Sequence, residues 1–437
     1  MAAGAAGSNA LTGVVPVIVN NSTILAEVEN GTKTSHSRIT AGDSIGIIAA
    51  ADSDIYIIAG GLAAAGANAA GASINTAILK NDIQAHAGTW TELMTTATPA
   101  VQTSSNGIRI PNRNERRRGI IIFANGNEDV VMVSVSAGAG GSNAITGVIN
   151  TLVVRNTVKA TSREHVTISV KKAAGSSTND TDPLPGVYIE AHDDTELLNL
   201  AGALSAAGSV GVGATVVALV FNKNVTAETA KEHKILAPGK VQVIADAKDN
   251  LWLLAVNFAA GGSVGVAGGA NALVFQNYVT SALGGTTGDI NNPVQSVKVS
   301  ANSDSSLYNL AAAAGIGGTA GVTAVAVITY FYNETLAYVK ENSRIYAAGA
   351  VDILADSKEF VTADAAGAAG SGTVSVGGTL DVVVTKVVTK AYTEKNVLIH
   401  AKGTTADVSV KADDDYKLIA VVGTISASGV AAVAVSV

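Results

Sequence analysis

The sequence predicts an all-β fold, a repetitive β-solenoid built as a right-handed parallel β-helix, and three observations carry that prediction. One pattern, apolar–any–apolar–any–Ala with a further apolar anchor six residues on, occurs seven times, centred on Ala49, Ala124, Ala191, Ala245, Ala301, Ala355 and Ala412. The intervals between these alanines are 75, 67, 54, 56, 54 and 57 residues, a period near 55 with two longer exceptions. A second β-type anchor lies 34 residues beyond each of the first six alanines, at Ile83, Val158, Val225, Val279, Thr335 and Thr389. A unit of this kind cannot bury its apolar face alone, so each needs a stacked neighbour.

Taken in chain order, the sequence opens inside a unit. Ile24, Ala26 and Val28 read as the end of one, and Val437 falls inside another, so an internal segment of a longer protein is expected, truncated at both ends. Met1 to Ala10 has neither the basic region nor the apolar core of a signal peptide, which places any export signal upstream. The units are anchored near residues 45, 120, 187, 241, 297, 351 and 408, and no shift of composition divides residues 1–437 into separate domains.

Within a unit a short strand precedes the alanine, as in Val297-Lys-Val-Ser-Ala301 and Val408-Ser-Val-Lys-Ala412, with polar residues on the alternate face that should meet water. The polar cluster after the alanine, such as Asn125-Gly-Asn127, His192-Asp-Asp194 or Asp413-Asp-Asp415, is expected to form a tight turn. A long strand follows through stretches like Ala270 to Val279 and Thr323 to Tyr332, largely apolar on both alternating sets and therefore expected to be covered on both faces. The extra length of the first two units falls after the second anchor, predicting inserted loops at 84–118 and 159–186. Two to three coils per unit are expected, because a coil commonly takes about twenty residues or more.

Composition narrows the partners. Charged residues are 14% and the net charge is −7, which argues against nucleic acid or an anionic membrane as the main partner. Cysteine is absent and aromatics are 4%, too few for the girdles of an outer-membrane barrel. Leu251 to Asn277 and Ser305 to Asn333 are long enough and free enough of charge to raise a membrane span, but recurring Gly, Ser and Asn with continuous β-alternation favour solenoid core strands.

Motifs that would carry chemistry are weak. Gly208-Ser-Val-Gly211-Val-Gly213 resembles a nucleotide-binding glycine turn, yet it sits in a β-periodic run and glycine pairs recur at the same place, as in Gly261-Gly262 and Gly317-Gly318. Gly284-Gly-Thr-Thr-Gly-Asp289 occurs once, with the wrong spacing for a calcium-binding repeat. Stacked aspartates offer oxygen ligands for Ca²⁺, but their mixed composition reads first as turns. The six histidines show no HExxH spacing, no Ser/His/Asp set can be assigned, and neither metal nor cofactor is expected.

One segment differs from the repeats. The first inserted loop holds Trp90, Arg109, Arg113, Arg116, Arg117 and Arg118, and Trp and Arg are the side chains most often found as interface anchors. It is the candidate partner contact, against the plainer reading of a solvated loop with Trp90 tucked onto the shaft.

Ala260-Gly-Gly-Ser-Val-Gly-Val-Ala-Gly-Gly-Ala-Asn-Ala-Leu-Val-Phe-Gln-Asn-Tyr-Val-Thr280, followed by Val297-Lys-Val-Ser-Ala-Asn-Ser303, resembles the repeats of large bacterial filamentous adhesins, in particular the leukotoxin-type adhesins of anaerobic Gram-negative bacteria. The likeness covers nearly the whole chain. It implies an elongated, secreted or cell-surface β-helical passenger that binds a host cell-surface or matrix glycan or protein, and it carries over no catalytic residue. Self-association, end to end or lateral, is expected of open coils. Two alternatives stay open: a β-helical polysaccharide-active enzyme, which needs a clustered and unrepeated acid–base set, and a cytolytic or pore-forming segment.

Overall fold

The computed structural model describes residues 1–96, 107–111, 113, 115–171, 184–404 and 406–437. The sequence places its prolines mostly in connections, where no ladder donor is lost, and two of these, Pro99 and Pro183, lie outside the described residues. The described residues form strands and no helix, gathered into three long parallel sheets and one small antiparallel pair. One coil consists of a strand in the first sheet, such as Val241–Gly261, a two-residue corner, a strand in the second sheet, Val264–Leu283, and a short third-sheet strand, Thr286–Thr287. The next coil begins at Val297–Gly317.

The repeat alanines are lateral neighbours across the first sheet: Ala49 pairs with Ala124, then Ala191, Ala245, Ala301, Ala355 and Ala412. One unit therefore makes one coil, not the two to three expected. The physical reason is that the polar clusters do not turn the chain. Asn125-Gly-Asn127 lies within the continuous strand Gly119–Gly140 and His192-Asp-Asp194 within Gly186–Ala207. Stacking on the same position of the next coil completes their hydrogen bonding, so about twenty residues run on before a corner is needed.

The inserted segments are also shorter than expected. Residues 84–87 continue the second-sheet strand Asn68–Ala87, and Thr91–Thr95 is an ordinary third-sheet strand. Residues 159–162 and Thr167–Val170 repeat this in the second unit. The extra length therefore falls at 96–118 and 171–185, and Trp90 belongs to the regular coil.

The corner between the first two sheets explains the glycine runs. Gly66, Gly141, Gly208, Gly262 and Gly318 stack in one column, and a Cβ on each would fall on the carbonyl oxygen of the glycine one coil before it. Strands stacked about 4.8 Å apart leave no room there for a side chain that points along the axis.

The interior divides in two. At the start of the first-sheet strand, Val241, Val243 and Ala245 pack with Val279 and Leu283 and with the third-sheet strands. Further along it, Leu251, Leu253 and Ala255 face Leu273 and Phe275. Phe221, Phe275 and Phe331 stack through this second compartment at 5.1 and 4.9 Å between ring centroids. Each buried Val, Leu or Phe side chain stabilises by about 1.5–3 kcal/mol. Between the compartments runs a buried polar layer that includes Glu128, Asp193 and Asp249 from the first sheet and Asn156, Lys223 and Asn277 from the second. Hydrogen bonds cross it: Asn156 and Thr195 donate to Glu128 at 2.8 and 3.1 Å, and Asn277 donates to Ser303 at 3.0 Å.

The long second-sheet strands are covered on one face only. Val274 is 36% and Ile328 48% exposed, where coverage on both faces was expected. No further layer packs outside this sheet in the described residues, because each coil contributes just three strands and all of their inward positions face the same interior.

Candidate functional site: a polar groove on the first sheet

On the first sheet, outward residues two apart on each strand stack into rows across the coils. One row reads Asn125, His192, Asp246, Asn302, Asp356 and the next Asn127, Asp194, Lys248, Asp304, Lys358. Together with Arg113 they line a groove of about 690 Å³ that crosses five coils. Along the same outward face lie Asn250 and then Trp252, whose ring stacks on Tyr308 at 3.8 Å, with Phe360 tilted beyond at 5.4 Å. A polar trough thus runs beside an aromatic strip.

The arginine-rich segment folds back onto this end of the shaft. Ile108–Arg109 and Arg116–Arg117 pair antiparallel, and Ile110 is buried with Ile121 and Phe123. Arg117 forms an ion pair with the buried Glu190, bonds Glu115 at 2.8 Å and lies 4.7 Å over the Tyr188 ring. Arg118 pairs with Asp43 at 2.7 Å, and Arg116 donates to the Gly107 carbonyl at 2.9 Å. Arg113 closes over His192, 2.7 Å from Nδ1 and 3.9 Å from Asp246. Arg109 is exposed on the hairpin.

His192 is the centre of this cluster. Nδ1 lies 2.9 Å from Asp246 and Nε2 3.2 Å from Glu190. Burial works against its charged form, but the bonds to Asp246 and Glu190 outweigh burial and raise its pKa. Burial likewise opposes ionisation of Glu190 and Asp246, and the His192 bonds prevail, holding both carboxyls below their ordinary values. Arg117, desolvated yet facing Glu190, is held more firmly charged.

Trp90 stands apart from the arginines. It occupies a left-handed backbone position, φ 55°, just before a third-sheet strand, and its ring stacks on His165 at 3.8 Å with His36 at 5.6 Å on its other side. The structure brings Arg113, Arg117 and Arg118 onto the shaft's acidic residues and leaves Trp90 on the third sheet. Among the described residues, no group of three or more His, Asp or Glu is arranged to hold a metal ion.

Sequence reasoning missed the Glu190–His192–Asp246 set. A signal was present: Glu190 and His192 share a strand face, and aligning Ala191 with Ala245 puts His192 beside Asp246. Comparison with known protein families, with characterised proteins and with solved structures gives no match to this chain. No helix among the described residues is long and apolar enough to cross a membrane.

Proposed function

We propose that this chain is a shaft segment of a secreted or cell-surface filamentous adhesin that extends a glycan-binding surface from a bacterial cell. The observation that carries the reading is the groove, a site that repeats coil by coil across five coils. A linear polymer of repeating sugars matches such a site, each coil adding a weak contact so that affinity grows through multivalency. Carboxylates and amides of the two rows suit vicinal hydroxyls, and Trp252 with Tyr308 offers flat apolar faces to pyranose rings. Mixed charge, Lys248 and Lys358 among Asp194 and Asp304, favours neutral over strongly anionic chains. The test is binding of the purified chain to an immobilised glycan panel. Trp252→Ala with Asp304→Ala should weaken the best ligand about tenfold at unchanged β-content; a wild type that binds no glycan, or a variant that binds as well, sinks the reading.

A second reading has one observation behind it. Among the described residues the Glu190–His192–Asp246 set with Arg113 occurs once, and a polysaccharide-active enzyme requires such an unrepeated set. Release of reducing or unsaturated sugar ends from a bound glycan, abolished by His192→Ala, would select this reading. Intact recovery of the glycan would reject it.

A further inference from the structure

The outer face of the second sheet is so far without a role. Five outward positions per strand, those of Ile145, Gly147, Ile149, Thr151 and Val153, carry no charged, amide or histidine side chain at any in-register counterpart from Asn68–Ala87 through Val374–Thr393. Monomeric proteins seldom expose more than a few hundred Å² of contiguous apolar surface. Here residues such as Ile145 and Ile328 are 56% and 48% exposed.

We propose that two copies of this chain pack face to face through this surface. Three observations select a second copy. Five outward positions span roughly 30 Å along a strand and six stacked strands roughly 29 Å, so the face offers on the order of 900 Å². A stable interface needs about 800 Å² from each partner. Next, the face has self-complementary relief: the row Gly147, Ala214, Gly268, Ala324 and Gly378, widened at its centre by Ala270 and Ala326, is a trough beside the ridge of Ile145, Val212, Val266, Val322 and Val376. The central part of that trough is an apolar groove of about 530 Å³, of the shape that a ridge of Val and Ile fills. Last, the chain carries a net charge of −7, so two copies repel wherever their charges meet. This face holds none of those charges.

Sedimentation equilibrium of the 437-residue chain tests the proposal, with a species of twice the 43.6 kDa chain mass expected at micromolar concentration. Val216→Lys with Val274→Lys should weaken dimerisation at least a hundredfold, both side chains pointing to solvent in the single chain. Gly268→Leu is the second variant: a Cβ there meets only the Ala324 carbonyl oxygen at 3.8 Å, so the fold tolerates it. A filled trough should weaken the dimer about tenfold at an unchanged melting temperature. Val410→Lys with Leu418→Lys alters the inward residues of the last coil and should leave the dimer intact. A monomer at 100 μM overturns the proposal, as does a dimer that survives both face variants or one lost only in the end-coil variant. A monomer that floats with phosphatidylcholine vesicles and is released by the lysine pair also overturns it, assigning the face to lipid.

Discussion

Lys223 and Asp249 meet inside the shaft, Nζ to Oδ1 at 2.7 Å, with neither side chain exposed to solvent. They lie on successive coils, and Asp193 approaches the same ammonium at 3.0 Å. Burial alone would lower the Lys223 pKa, but Asp193 and Asp249 outweigh it and hold the amine more firmly protonated. Glu128 stands beside them, its carboxyl pushed well above the ordinary range by burial and by Asp193. One ammonium thus ties two coils together across the layer that separates the two apolar compartments.

Lys223→Met should therefore cost about 3–5 kcal/mol, because it leaves buried carboxylates without their cation. One coil on, the corresponding positions are neutral: Asn277 stands for Lys223, Ala247 for Asp193 and Ser305 for Asp249. Lys223→Asn with Asp193→Ala and Asp249→Ser should recover most of the loss. Urea midpoints for the three proteins decide it; an unshifted midpoint in Lys223→Met would show that the pair does not hold the coils.

At the corner, Gly208→Ala places a methyl on the Gly141 carbonyl oxygen and should destabilise by about 3 kcal/mol, the upper end for overpacking. Gly147→Ala is the control, since its Cβ meets nothing within 4 Å. Thermal melting of the two variants should separate them clearly. Equal melting temperatures would mean that the glycine column is not a steric requirement.

His233 predicts an acid-side loss of stability. Its ring is buried, with Nε2 2.6 Å from Ser162 Oγ, and burial, with Lys340 adding to it, pushes its pKa down to about 3. An unfolded histidine titrates near 6.5. Between pH 6.5 and 3 the unfolded chain binds the extra proton, so this group's contribution falls as pH is lowered through that window, by up to about 1.4 kcal/mol per pH unit. Above pH 6.5 it adds no pH dependence. His233→Asn should flatten that part of the profile, read as the difference in urea midpoint between the two proteins from pH 7 to pH 4. A difference constant with pH would rule out the neutral buried imidazole.

The arginine segment should split by position. Arg117→Ala strips Glu190 of its guanidinium and should cost about 3 kcal/mol, toward the lower end for a broken buried pair because His192 still bonds that carboxylate. Arg109→Ala, exposed on the hairpin, should stay within about 0.5 kcal/mol of wild type. Comparable losses at both positions in chemical denaturation would contradict this placement.

The stacking register was legible in the sequence, because in-register parallel strands place identical positions side by side and the repeat alanines could be aligned without any structure. The number of coils per unit was not. Counting coils requires counting corners, and Asn125-Gly-Asn127 has the composition of a turn while sitting inside a strand. The groove was half legible. Its rows follow from the alignment, but Arg113 and Arg117 reach Glu190 and His192 only because the hairpin folds back and buries Ile110 against Ile121 and Phe123.

What the sequence determined by itself is the all-β class, the period and the partners across the first sheet, all consequences of apolar alternation repeated at a fixed interval. The tertiary structure decided which apolar residues are covered. Alternation shows that a strand has two faces, yet whether the Ile145 and Val274 face lies in a core or meets solvent depends on what packs outside it. The same holds for charge: Lys223, on a strand that otherwise reads as apolar core, is tolerated there because two carboxylates from successive coils converge on its ammonium.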